Sequence, residues 1–523
     1  MSKQPFIVDI LSKKQKFGFL VLASLWMGTV IVFWVWWSDS AHITSIPKFI
    51  FNSILLLWTT LLTIYFFYFV IRMKRPNPNL KVPIHWRLAM VVTKAPSEPF
   101  EIVKKTLLAM KNQNYPHDNW LADESPTPEV LRWCSENDVF VSTRKGNQAY
   151  QKQEWPRREK CKEGNLAYFY DFYGYEWYDF VSQLDADHIP EPNYLEEILK
   201  PFVDPLVGYV SAPSICDSNA ATSWSARSRL YAEATLHGPL QAGYSNGWAP
   251  LCIGSHYAVR TKALKEIGGL GPELAEDHST TFMMNVHGWK GVHALDAIAH
   301  GDGPATFADA MTQEFQWSRS LIILLLTITP KHLKRMSPRL QFQFIFSQIW
   351  YPLFGFIMVI AYLLPIIVIL TGEPWTNVSY VNFVAISLMP TSSALLTVWW
   401  IKRIGLLRPY YTPILSWEMV LFQLSRWPWI IWAMVMGILT VVQKKQIEFR
   451  VTPKGVKAIE PVSLDLLTPY FVISATSALI VIIGSKSPSV SGYYYFAILN
   501  SFIYLGLILT TILMHVKEQK VKS

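Results

Sequence analysis

A chain of 523 residues with 51% hydrophobic content and 22 tryptophans points to a large fraction dissolved in lipid. Its net charge of +9 does not call for nucleic acid, because the Lys and Arg cluster beside the apolar runs, where they face anionic lipid headgroups. The four cysteines, Cys134, Cys161, Cys216 and Cys252, lack paired zinc spacing and are expected to be reduced thiols, which excludes a disulfide framework.

In chain order, apolar runs at 17–37, 49–71, 344–370, 380–401, 466–484 and 493–514 are each long enough to cross a hydrocarbon core of about 30 Å, which needs roughly 20 residues. The first is long, Trp-rich and without a small-residue cleavage site, so it is expected to stay as an anchor rather than be cleaved. Lys13, Lys14 and Lys16 precede the first run and Arg72, Lys74 and Arg75 follow the second. Lys331, Lys334 and Arg335 precede the third, Lys402 and Arg403 follow the fourth, and Lys517, Lys520 and Lys522 close the last. The intervening loops 39–48, 371–379 and 485–492 hold only Lys48 and Lys486. With the positive charge on the cytoplasmic side, both termini and the polar segment 76–330 are predicted to be cytoplasmic.

Within 76–330, the apolar stretches Arg87–Val92, Ile102–Met110, Asn119–Ala122, Asp179–Leu184 and Val207–Ala212 alternate with helical patterns, which predicts a mostly parallel sheet flanked by helices. Ligands sit at the carboxyl ends of such strands. Asp123 and the Asp185/Asp187 pair each end a predicted strand, so they can converge on one crevice. The Asp-x-Asp pair suits a divalent cation, because hard cations take carboxylate oxygens and bridge substrate phosphates. A helix over 304–325 would place Gln313, Gln316 and Trp317 on one face, at spacings of three and four. Residues 416–442 are apolar but carry Glu418, Arg426 and Pro428. A seventh crossing there would put the charges of 444–457 and the basic C-terminus on opposite sides, so an interfacial amphipathic helix is expected.

Seven motifs occur in one order. They are Glu98-Pro99, Asp123, Lys162-Glu163-Gly164-Asn165, Asp185-Ala186-Asp187-His188, Cys252-Ile253-Gly254-Ser255, Glu276-Asp277, and Gln313 to Trp317. They are followed by Phe449-Arg450-Val451-Thr452-Pro453-Lys454-Gly455. On these residues the chain resembles the processive family 2 glycosyltransferases of the cellulose synthase type, from about residue 85 onward. The Asp-Ala-Asp-His form and the last motif, similar to that family's gating loop, favour glucan synthases over hyaluronan and chitin synthases.

The resemblance implies a multi-pass α-helical membrane protein with a cytoplasmic α/β nucleotide-sugar-binding (GT-A type) glycosyltransferase domain. Two transmembrane helices lie in 1–75, the catalytic domain with its acceptor-site helix in 76–330, two transmembrane helices in 331–415, the interfacial helix and gating loop in 416–465, and two transmembrane helices with a basic tail in 466–523. The implied activity is processive, inverting synthesis of a β-linked glucan from UDP-glucose and its export across the plasma (inner) membrane. Asp277, with Glu276 beside it, is the candidate general base. Asp185 and Asp187 would hold Mg2+ or Mn2+ on the donor diphosphate, Lys162 and Asp123 the nucleotide, and Gln313, Gln316 and Trp317 the acceptor chain. Thr452 and Lys454 would close over the diphosphate. The implied partners are the UDP-sugar, the growing polysaccharide, the lipid bilayer and secretion proteins.

The chain departs from the family pattern at Gln316 and Glu314, where arginines are usual, and at Glu124 in the turn after Asp123. Arg319 or Lys454 is expected to supply the missing charge. His278 is left out of the catalytic set. No cyclic-di-GMP-binding domain follows the last apolar run, so that form of activation is not expected. The rival readings are a synthase of another β-linked polymer (another glucan linkage, hyaluronan-like or chitin-like) and a non-catalytic transporter or scaffold.

Overall fold

The computed structural model describes residues 5–273, 275–444 and 461–522. Two helices, α1 (Lys13–Trp37) and α2 (Ile46–Val70), lead into a mixed α/β domain. Its main sheet has seven strands: β1 (Leu88–Lys94), β2 (Asp118–Asp123), β3 (Val139–Ser142), β4 (Phe180–Leu184), β5 (Val207–Ser211), β6 (His256–Arg260) and β7 (Lys290–His293). Their spatial order is β7-β5-β6-β4-β1-β2-β3. β1 lies parallel to both β2 and β4, β2 to β3, and β7 to β5, while β6 runs antiparallel between β4 and β5. The mostly parallel sheet expected from the alternating pattern is therefore present with one reversed strand.

Both faces of the sheet are covered. Leu88, Met90 and Val92 of β1 pack into one core with Phe180, Leu184 and Val210, and Ala89 and Val91 into the other with Trp120, Val181, Tyr209 and Tyr257. Successive side chains on a strand point to opposite faces, and burial on both sides makes the strand read as a continuous apolar run. That is why β1 is visible in the sequence without an alternating pattern.

The helices that matter for the site are α3 (Phe100–Lys111), α4 (Pro128–Glu136), α5 (Lys162–Phe169), α6 (Trp224–Thr235), α7 (Glu276–Val286) and α8 (Phe307–Thr327). The last begins on a capping box in which Thr306 and Asp309 satisfy each other's backbone N–H groups, so its start is locally encoded. Beyond it come α9 (Pro338–Thr371), α10 (Tyr380–Arg403), α11 (Trp417–Ser425), α12 (Trp427–Gln443), α13 (Leu464–Ile483) and α14 (Ser491–Lys522).

Among the described residues, seven helical segments are long and apolar enough to cross a membrane, which marks a membrane protein. Six coincide with the apolar runs named above, and the seventh is Trp417–Gln443. That segment is two helices that meet at Arg426. α11 leans on the α/β domain through an Arg227–Glu418 ion pair of 2.7 Å and the stacking of Trp224 on Trp417. α12 lies so close along α8 that a Cβ on Gly437 would stand 3.0 Å from Ile322 and 3.2 Å from the Arg319 carbonyl oxygen.

Candidate active site

The carboxyl edge of the sheet collects the charged residues. Lys94 and Asp123 end neighbouring parallel strands in register, and the fully buried Asp123 carboxylate is ion-paired with Lys94 Nζ at 3.3 Å. A carboxylate that deep needs such a partner. Its Oδ1 also accepts from Ser125 N at 2.9 Å. The next residue, Glu124, pairs with the fully buried Arg144, which also donates to the Tyr150 and Arg158 carbonyl oxygens. Glu124 thus anchors the segment that leads into α5.

Lys162 opens α5. Two neighbours in its motif do packing work. A Cβ on Gly164 would lie 1.9 Å from the Arg158 carbonyl oxygen, and the Asn165 side chain donates to the Ala122 carbonyl at 2.9 Å. So held, Lys162 directs its ammonium to Asp185 Oδ1 at 2.7 Å, to the Gly254 carbonyl oxygen, and to Glu276 Oε1 at 3.8 Å.

Asp185 follows β4 and is fixed by its backbone N–H to the Ser255 carbonyl, at 2.8 Å. Asp185, Asp187 and His188 offer donor atoms that all lie within 4.8 Å of one another. Asp187 is buried and accepts from Asp302 N at 3.0 Å, while Asp185 is partly exposed at the cleft. The two carboxylates, one of them open to the cleft, are the donors a hard divalent ion such as Mg2+ or Mn2+ would take, with the His188 imidazole beside them. His188, given no role from sequence, is the third donor of this group.

Glu276 and Asp277 form the first turn of α7, where the helix dipole favours negative charge. Asp277 Oδ1 accepts from His278 N at 2.7 Å, and the Gly254 N–H lies near enough to the carboxylate to favour its charge. Burial raises both carboxyls above their ordinary range. For Glu276 the Lys162 ammonium opposes this, and for Asp277 the two backbone N–H groups do. A Cβ on Gly254 would sit 3.2 Å from Asp277 Oδ2 and 3.8 Å from Glu276 Oε1, so a side chain here would make the Asp277 carboxylate give by a few tenths of an ångström. Gly254→Ala is expected to shift the Asp277 carboxylate slightly and cost several-fold in turnover, since a full misplacement of about 1 Å is worth about 10²-fold. Steady-state kinetics of the variant with unchanged nucleotide binding is the check.

On α8, Gln313 and Trp317 come together through a residue that sequence reading missed. Arg229 of α6 donates to Gln313 Oε1 at 2.8 Å and lies 4.3 Å over the Trp317 ring, the geometry of a cation–π contact. Arg229 is itself paired with Glu233 at 3.2 Å. Burial works against the Glu233 charge, but Arg229 and His237 hold its carboxyl down to about 2. The only local signal for Arg229 is its i,i+4 spacing to Glu233.

The charge expected from Arg319 is directed elsewhere. Its guanidinium lies 5.3 Å over Phe315, and its charged neighbour is Glu273. Gln316 is buried. Glu314, where the family pattern has arginine, is buried and paired with Arg426 at 2.8 Å, at the junction of α11 and α12. Thr452 and Lys454, with the rest of the expected gating loop, lie outside the described residues.

Residues 165–320 match the family described as "Glycosyltransferase like family 2". Over 238 residues, 43% of this chain and 30% of the relative, the protein is 24% identical to a cellulose synthase catalytic subunit (UDP-forming) of Xanthomonas axonopodis pv. citri (strain 306). Over 261 residues, 48% of this chain and 33% of the relative, it is 24% identical to cellulose synthase 1 catalytic subunit (UDP-forming) of Komagataeibacter xylinus. The matches thus span about a third of these relatives' length. Among solved structures, a mannosyltransferase from Pyrobaculum calidifontis in complex with GDP-Man and Mn2+ is similar with a TM-score of 0.44 and 13% identity, covering 81% of this chain and 98% of that one. Residues 165–320 are thus similar to the family 2 glycosyltransferases, and a little under half of the chain is remotely similar to cellulose synthase catalytic subunits.

Proposed function

We propose that the protein is an inverting, UDP-sugar-dependent β-glycan synthase, with UDP-glucose as donor. It extends a chain on its cytoplasmic face and passes it outward between its membrane helices. The observation that carries this reading is Lys162, whose ammonium stands 2.7 Å from Asp185 and 3.8 Å from Glu276. One cation thereby ties the candidate metal carboxylates to the candidate base at the carboxyl edge of one sheet. The homology to UDP-forming cellulose synthase subunits supports glucose.

In this reading Asp185, Asp187 and His188 would hold Mg2+ or Mn2+, which would supply positive charge to offset that of the departing diphosphate. Lys162 adds a positive charge to the same oxygens, and Asp123 bonds the nucleoside. Asp277, held by the His278 N–H, takes the proton from the acceptor hydroxyl as that oxygen attacks the anomeric carbon from the face opposite the diphosphate. Glu276 sets the local field. Trp317 presents its ring to the acceptor sugar, with Arg229 covering one side and Gln313 beside it.

The domain boundaries drawn from sequence and the cytoplasmic placement of the termini belong to this proposal. So does an interfacial course for 416–442, which the packing of α11 on α6 and of α12 along α8 supports. A synthase of another β-linked polymer shares the same site and differs in product. A non-catalytic transporter or scaffold would not need the carboxylate cradle around Lys162. Processivity is tested at Trp317. Trp317→Ala is expected to lower polymer yield by about tenfold or more while UDP release by donor hydrolysis persists. Equal loss of both activities would refute the platform role.

A further inference from the structure

The helix that follows the catalytic domain enters it with two buried glutamines. Gln343 and Gln348 of α9 are each 1% exposed in a segment apolar enough to cross a membrane, and amides there are costly unless bonded. Gln343 accepts from Ala249 N at 2.9 Å and donates to Ala249 O at 2.7 Å, as a strand neighbour would. Gln348 Oε1 accepts from Thr329 Oγ1 at 2.8 Å, and in this arrangement its Nε2 meets His278 Nε2 at 3.2 Å. An amide nitrogen can only donate, so His278 accepts at Nε2 and is neutral, with its hydrogen on Nδ1. Burial lowers its pKa to about 4, in keeping with the neutral ring.

Both contacts lead to the same carboxylate. His278 follows Asp277 directly, and its N–H donates to Asp277 Oδ1 at 2.7 Å. Ala249 leads to Cys252, whose N–H donates to Thr281 Oγ1 at 2.9 Å, and Thr281 in turn donates to the Asp277 carbonyl at 2.9 Å. Two residues beyond Cys252 is Gly254, which lies against Asp277 Oδ2 and whose N–H favours the charge of that carboxylate. The two walls of the Asp277 cradle therefore hang on successive turns of one membrane helix.

We propose that Gln348 and His278 are a positioning pair that registers the Asp277 carboxylate to the cytoplasmic end of α9. The base is thereby held at a fixed place relative to the helices between which the product leaves. The inference rests on reading Asp277 as the base. Neither residue touches substrate; both act through the first turn of α7.

The test measures kcat and donor KM for UDP release from UDP-glucose, with magnesium, by lipid-reconstituted full-length protein. It compares wild type, Gln348→Met, His278→Leu and the double variant. Each single variant is expected to lose about tenfold in kcat with donor KM within about twofold, and the double to lose no more than the worse single, because the two act through one contact. Unchanged kcat in Gln348→Met, or losses that multiply in the double, would overturn the pair. If Gln348→Met does not fold, Gln348→Asn keeps the amide but retracts it by one methylene and carries the same expectation with a smaller loss. A wild type that releases no UDP from any UDP-sugar would remove the catalytic reading and this inference together. An active wild type with unaffected variants would remove the inference alone.

Discussion

Asp277→Asn is expected to lower sugar transfer by about 10² to 10⁴-fold, the usual worth of a positioned general base, while UDP-sugar binding stays close to wild type. The substitution keeps the shape and one acceptor oxygen, which can still take the His278 N–H, so the loss reports mainly the missing proton abstraction. The pH profile adds a second, independent readout. Burial raises both Asp277 and Glu276, and the base works only when ionised. Activity should therefore fall as pH drops through a pKa above the ordinary carboxylate range, leaving the acid limb nearer neutrality than that of an exposed aspartate. Substantial residual transfer in the variant, or an acid limb in the range of an exposed carboxyl, would count against the assignment.

The second large effect is expected at Asp187. Asp187→Ala removes a buried donor from the Asp185, Asp187 and His188 group and leaves the Asp302 N–H without its carboxylate. Since a Lewis-acid metal supplies several kcal/mol of charge stabilisation, turnover should drop by about 10²-fold or more, and added Mg2+ or Mn2+ should no longer raise the melting temperature of the reconstituted protein. Wild type should lose activity to a chelator and regain it with either ion. Chelator-resistant turnover would mean that Lys162 alone neutralises the leaving diphosphate.

The sequence disclosed most where local chemistry decides. Strand β1 reads as an apolar run, helix α8 starts on a Thr306/Asp309 capping box, and six apolar runs match six helices long enough to span. Asp123 and Asp185 were placed at strand ends by that logic alone. Strand β6 was not visible. His256–Arg260 is five residues of mixed polarity, and its antiparallel course depends on β4 and β5, distant in the chain.

The unseen site residues share one property: their partners are far off in sequence. Lys94 matters because register sets it beside Asp123, Arg229 because α6 packs against the helix carrying Gln313 and Trp317, and Gln348 because α9 docks on His278. Arg319 shows the converse. Its position two residues from Trp317 suggested a replacement charge, yet helical geometry turns it toward Phe315 and Glu273. The break at Arg426 was also hidden, because a single amphipathic stretch does not announce that a buried Glu314 will hold its midpoint.

The most direct test of the whole account is incorporation of label from a panel of UDP-sugars by the purified, lipid-reconstituted protein with magnesium, followed by digestion with linkage-specific glucanases. The account expects high-mass product from UDP-glucose alone, sensitive to a β-glucanase whose specificity names the linkage. Polymer that forms only from two donors together, or a product that stays short and lipid-linked, would contradict it.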